Sequence, residues 1–256
     1  MGASGAAYAT VMAQAVSVAF SAFYIRRIGL PFSLTSDGFK QRGTVKAIVK
    51  IGAPIALQDF LVGISFLIIT SIINTLGLTA SASVGVSEKI YAFLSIVPMA
   101  FMSALSAFVA QNIGAGNPKR AVQSLFIAQR ISFCFGVAMF IGTFFFGAEM
   151  TSLFADDPAV IETTAQYLKG CSFEYLIITL AFCMLGYFNG IGKTTFVMFQ
   201  GLLSSFLVRI PLSYMLSRMP GTSMALISIA VPISALTELV LSIIYFIYLR
   251  KKGISA

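Results

Sequence analysis

Residues 81–111 read SASVGVSEKIYAFLSIVPMAFMSALSAFVAQ, and their only charges are the neighbours Glu88 and Lys89. A helix needs about 20 mostly apolar residues to cross the hydrocarbon core of a bilayer, and this stretch exceeds that length. Lipid offers no partner for a free N–H or C=O, so such a stretch has to be helical. Working outward, six more stretches pass the same test: 5–25, 49–76, 121–146, 167–188, 195–216 and 224–249. The expected fold is all-α, a polytopic membrane helix bundle with about seven transmembrane helices.

The composition of the whole chain agrees. Of 256 residues, 58% are hydrophobic and 10% charged, against roughly 25% charged in a soluble domain. That is too little charge to keep a soluble surface of this size in water. The chain has neither His nor Trp. A Ser-His-Asp triad, a Cys-His pair and a His-ligated zinc site are therefore excluded. No span pairs two Asp residues as an intramembrane aspartyl protease would. The chain is expected not to be an enzyme, and no metal or cofactor is expected. Cys134, Cys171 and Cys183 match no metal spacing and read as small buried hydrophobes.

Seventeen basic residues against nine acidic ones leave a net charge of +8. Too few polar residues accompany this excess to build a nucleic-acid surface, so no nucleic-acid partner is expected. Its placement explains it better. The connector after the first span holds Arg26, Arg27, Lys40, Arg42, Lys46 and Lys50 against Asp37. Lys119 and Arg120, then Lys193, then Arg250, Lys251 and Lys252 mark every second connector. The alternate connectors hold far less basic charge: residues 74–83 are uncharged, Glu149, Asp156, Asp157 and Glu162 stand in the second, and Arg218 is the only charge in the third. The positive-inside rule then puts the C-terminus in the cytoplasm and the N-terminus of this chain outside. No basic residue precedes the first apolar run, so it does not read as a signal peptide. A span beginning this abruptly is expected of a chain cut partway through.

Four motifs carry a family resemblance. Ala110-Gln-Asn-Ile-Gly-Ala-Gly-Asn-Pro-Lys-Arg-Ala121 follows the long helix that starts near Glu88. Gly52-Ala-Pro-Ile-Ala-Leu-Gln58, Tyr187-Phe-Asn-Gly-Ile-Gly-Lys-Thr194 and Gly5-Ala-Ala-Tyr-Ala-Thr-Val-Met-Ala-Gln14 accompany it. In this order they resemble the multidrug and toxic compound extrusion family. The resemblance implies two six-helix lobes rocking about a central cavity. It makes residues 1–27 the last helix of a missing first lobe, 28–47 a cytoplasmic inter-lobe connector and 48–256 a six-helix second lobe. It further implies efflux of organic, often cationic, compounds from the cell membrane in exchange for H⁺ or Na⁺. The expected partners are membrane lipid, small organic substrates, and either the missing lobe or a second half-chain. Two alternatives stay open: a lipid-linked oligosaccharide flippase of the same superfamily, and a non-functional fragment or structural membrane subunit. A flippase cavity would need several Arg or Lys for pyrophosphate; the spans offer Arg209 and Lys89.

Ionisable side chains inside spans cost about 2.5–3.5 kcal/mol each on insertion scales, so they mark function. The cation- or substrate-binding candidates are Asp59, Gln58, Glu174, Tyr175, Glu88 and Glu238. The cavity-lining candidates are Met99, Met102, Ser95 and Arg209, with Phe66 beside them. Glu88, Ser95, Met99, Met102 and Ser106 share one helical stripe, and Glu238, Ser242 and Tyr245 another. A carboxylate here can exchange a proton or sodium ion for a cationic compound; the competing reading is an internal ion pair with Arg209 or Lys89. Some sodium-coupled members of the family place acids about one turn beyond Asp59 and Glu174. This chain has Val62 and Ile178 there.

Overall fold

The structure is a computed structural model describing residues 2–29 and 42–253, which are helical throughout apart from short turns. Residues 30–41 of the connector, with Asp37 and Lys40, lie outside the described residues. Among those described, seven helical stretches are long and apolar enough to cross a membrane, as expected from the sequence. The chain divides into two units, Met1–Ile48 and Val49–Ala256. The first holds α1 (Gly2–Ile28), which has apolar side chains on every face and Arg26 and Arg27 in its last turn.

The second unit is built on α7 (Pro158–Gly190). Asp157 starts it: its Oδ1 accepts from the Ala159 N–H at 2.9 Å, and Pro158 occupies the first turn, where a missing N–H costs nothing. The fifth span therefore begins nine residues earlier than its apolar run at 167, and Glu162 is helical rather than part of a connector. The rest of that connector contains the short helix α6 (Gly147–Ser152).

Helices α3 (Leu78–Leu94), α4 (Ile96–Gly114), α5 (Pro118–Phe145) and α6 all pack on α7. So do α8 (Thr194–Leu202), α10 (Met224–Ser228) and α11 (Ala230–Lys251). Small residues allow the approach. A Cβ on Gly186 would meet the Met102 carbonyl oxygen at 2.5 Å, and one on Gly190 the Ser106 oxygen at 2.7 Å. These glycines are four residues apart on one face of α7, the small-xxx-small pattern that lets membrane helices touch backbone to backbone. Across α3, Ser83 Oγ donates to the Val160 oxygen and Thr164 Oγ1 to the Ser83 oxygen, each at 3.4 Å.

Helix α2 (Arg42–Asn74) stays continuous through Pro54. The other three intra-span prolines each interrupt regular helix one turn upstream, where the missing N–H would have bonded. Pro98 would have reached Leu94, the last residue of α3. Pro232 would have reached Ser228, the last residue of α10. Pro211 follows a π-helical turn, Leu203–Arg209, in which the Ile210 N–H reaches back five residues to the Ser205 oxygen; α9 (Ile210–Ser217) continues from it.

The two Gly-rich motifs share one helix ending. Gly116 and Gly192 both have φ of +73°. Asn117 N–H bonds the Asn112 oxygen and Lys193 N–H bonds the Phe188 oxygen, each at 2.8 Å. This is the Schellman turn, in which glycine takes the left-handed position at no steric cost. Cys171 and Cys183 are buried as expected, but Cys134 is exposed, on the open side of α5.

Replacing Gly186 by Val forces its side chain into the Met102 backbone and should destabilise the chain by about 1–3 kcal/mol. Gly63→Ala, with nothing within 4 Å of the added carbon, should leave thermal unfolding in detergent unchanged. Asp157→Ala should lower stability by about 1 kcal/mol through loss of the helix cap.

Candidate functional site

A cavity of about 290 Å³ opens among five of the spans. Each contributes a stripe at helical spacing. Gln58, Asp59, Val62 and Phe66 come from α2, and Tyr91 with Ser95 from the junction of α3 and α4. Met99 and Met102 follow one and two turns later. Glu174, Ile178 and Phe182 come from α7. Ser205 and Arg209 come from the π-helical turn, and Ser234 and Glu238 from α11. Eight of the ten candidate residues thus line one space.

The backbone irregularities border this same space. Ser95 sits at the break between α3 and α4, Arg209 ends the π-helical turn, and Ser234 follows Pro232. Across the wall, Ser204 Oγ donates to the Ser234 oxygen at 2.6 Å, tying the π-helical turn to α11. Gln58 lies against Gly201, where an added Cβ would meet its amide nitrogen at 2.7 Å. A side chain at 201 would push Gln58 away.

Arg209 is the pivot of the electrostatics. Its guanidinium carbon stands 4.5 Å from the centroid of the Phe66 ring, a cation–π contact. Its Nε has no hydrogen-bond partner. Its charge acts on both Glu174 and Glu238. Glu174 is 5% exposed, so it cannot offset its charge with bulk water. Asp59 is exposed on the open side of α2. Three carboxylates and one guanidinium give the walls a formal charge of −2 when all are ionised.

The two remaining candidates sit next door. Glu88 and Tyr175 line a smaller pocket of about 40 Å³ that shares Phe66, Tyr91, Glu174 and Arg209 with the first. Glu88 Oε1 accepts from Thr70 Oγ1 at 3.4 Å. Tyr175 packs against Tyr91, ring centroids 6.4 Å apart. The stripes read from the sequence leave the site after a turn or two. The Ser106 carbonyl faces Gly190, and Ser242 Oγ donates to Gln200 Oε1 at 2.9 Å in the core. Tyr245 stacks on Phe196, ring centroids 3.7 Å apart. Lys89 is exposed and lines neither pocket. Tyr91, Ser205 and Ser234 escaped the sequence reading, although each lies four residues before a recognised wall residue.

The MatE family model matches residues 54–215, more than half of the chain. "Probable multidrug resistance protein YpnP" of Bacillus subtilis is 27% identical over 99% of this chain and 56% of its own length. The FAD transporter of Shewanella oneidensis is 29% identical over 70% of this chain and 40% of its own. The chain thus spans about half the length of the curated relatives it matches. Among solved structures, the MATE transporter VcmN of Vibrio cholerae in its bent form superposes with a TM-score of 0.83 at 19% identity. That match covers 98% of this chain and 57% of VcmN, and it speaks for the fold. By the family match and the order of its motifs, this multi-pass membrane chain belongs to the MatE family, that of multidrug and toxic compound extrusion.

Proposed function

We propose that this chain supplies the second lobe, and the last helix of the first, of a secondary-active efflux transporter. Residues 1–27 are the end of the first lobe, 28–47 the cytoplasmic connector and 48–256 the six-helix second lobe. The rest of the first lobe belongs to the same protein or to a second half-chain. Supporting this reading, relatives matched over nearly the whole chain are about twice its length. The C-terminus lies in the cytoplasm and the N-terminus of this chain on the outer side, because the connectors rich in Lys and Arg alternate with connectors that hold at most one net positive charge.

The cargo is an organic cation, exchanged for H⁺ or Na⁺. The observation carrying this is the excess of carboxylates over guanidinium in one cavity. A buried charge is tolerated when paired, and Arg209 partly offsets Glu174 and Glu238 in the cavity wall. A cationic cargo takes over that role, and so does a proton or sodium ion; binding of one therefore displaces the other. Met99, Met102 and Phe66 give apolar walls that adapt to different shapes. The relative named for FAD transport would carry a phosphate-bearing anion. A wall with three carboxylates and a single Arg supports cations over such a cargo, and over the pyrophosphate of a flippase.

Binding of ethidium to the purified chain in nanodiscs, read by fluorescence anisotropy, tests this. Glu174→Gln should weaken binding at least tenfold, the equivalent of about 1.4 kcal/mol. Arg209→Gln removes a like charge and should strengthen it. Lowering the pH should weaken it, since protons compete for the same carboxylates. The opposite signs for the two variants would mark an anion site and sink the proposal. For orientation, a single Cys at 156 in a Cys-free chain should react with an impermeant maleimide from outside intact cells, and one at 193 should not. The reverse pattern would invert the topology.

A further inference from the structure

One long helix of the bundle takes no part in the cavity: no residue of α5 lines it. The face of α4 turned toward α5 is also not its cavity face. At 100° per residue, Phe101, Ala104 and Phe108 point well over a quarter turn away from Met99 and Met102. Between those three residues and Ser124, Ile127 and Ile131 of α5 runs an open groove of about 350 Å³. Its one side-chain hydroxyl, Ser124 Oγ, donates to the Ala121 oxygen of its own helix at 2.7 Å. The groove is therefore apolar along about 10 Å of helix, seven residues at 1.5 Å each.

One end of the groove is charged. Arg120 precedes Ser124 by four residues, Ile127 by seven and Ile131 by eleven, so it stands on the same stripe of α5. Its guanidinium carbon lies 5.6 Å from the centroid of the Phe108 ring, which forms the wall at that end. Arg120 belongs to the first turn of α5, which begins at Pro118. The groove thus has a basic, aromatic mouth at the membrane surface and an apolar floor running into the hydrocarbon. That first turn also lacks a side-chain cap, and the positive end of a helix favours an anion.

We propose that this groove binds one anionic glycerophospholipid, its phosphate on Arg120 and one acyl chain lying between α4 and α5. Charge and shape select the occupant. The polar contact sits at headgroup level, the apolar surface below it, and the groove lies on the side of α4 away from the cavity that a second lobe would close. Anionic lipids concentrate in the cytoplasmic leaflet, the side to which the basic turns assign Arg120. The site does not depend on what the cavity carries.

Native mass spectrometry of the detergent-purified chain, given equal phosphatidylglycerol and phosphatidylcholine of matched chains, tests the proposal. The wild type should retain one phosphatidylglycerol in preference to phosphatidylcholine. Arg120→Gln should reduce that preference about fivefold, the effect of one basic residue at the surface. Ala104→Phe should fill the groove and lower retention of both lipids, with thermal unfolding unchanged. Lys252→Gln removes a charge that sits 4.7 Å over Tyr248 and does not line the groove, and it should change nothing. Equal retention by Arg120→Gln and wild type would overturn the site. So would an equal loss in Lys252→Gln, which indicates general headgroup attraction. Loss of a dimer rather than of lipid in Ala104→Phe would give the groove to a second copy of the chain.

Discussion

Backbone hydrogen bonding in lipid is the constraint from which this architecture follows. A free N–H or C=O in hydrocarbon costs several kcal/mol, so each span has to be helical. Departures from regular helix are tolerable only where protein or a polar cavity meets the freed groups. Among the described residues, three spans depart: at Ser95, at Leu203–Arg209 and at Ile229. The first two lie in the cavity wall and the third one turn from Ser234, which does. Each precedes a proline by a few residues. Proline thus introduces the irregularity, and the cavity makes it affordable.

The second requirement is close contact between helices that gain no hydrophobic free energy by touching, since lipid is as apolar as they are. Here α7 meets it. Gly186 and Gly190 admit the backbone of α4, while Ser83 Oγ donates to the Val160 oxygen and Thr164 Oγ1 to the Ser83 oxygen between α3 and α7. Around it, α2, the π-helical turn and α11 present polar side chains to a shared space. The charged groups then offset one another there instead of facing lipid. The side of α4 turned away from the cavity carries the open groove it shares with α5, with Arg120 at one end.

Much of this was legible along the chain. The seven spans follow from apolar length alone, and the shortage of charge singled out Asp59, Glu174, Glu238 and Arg209 before their positions were known. Hydropathy alone puts the start of the fifth span at 167, because it is blind to the helix cap that starts it at Pro158. Asp157-Pro158 is a helix start, and the polar turns after it are helical because α3 and α6 pack against them. The exposure of Cys134 is not legible for a related reason: an exposed and a buried apolar side chain look alike in composition, so the sequence does not say which face of α5 is covered.

The sequence by itself determined the class, an all-helical membrane bundle, because hydrocarbon permits no other way to satisfy so apolar a chain. It also determined which residues were too costly to be idle. Tertiary structure decided which of them meet. Helical periodicity predicts neighbours over a turn or two within one span. The convergence of Gln58, Glu174, Arg209 and Glu238 from four spans depends on how those spans pack, with Gln58 set against Gly201 and the π-helical turn tied to α11. A proline-induced π-helical turn further shifts the register just before Arg209, so no periodic reading of the chain could have placed that guanidinium over Phe66.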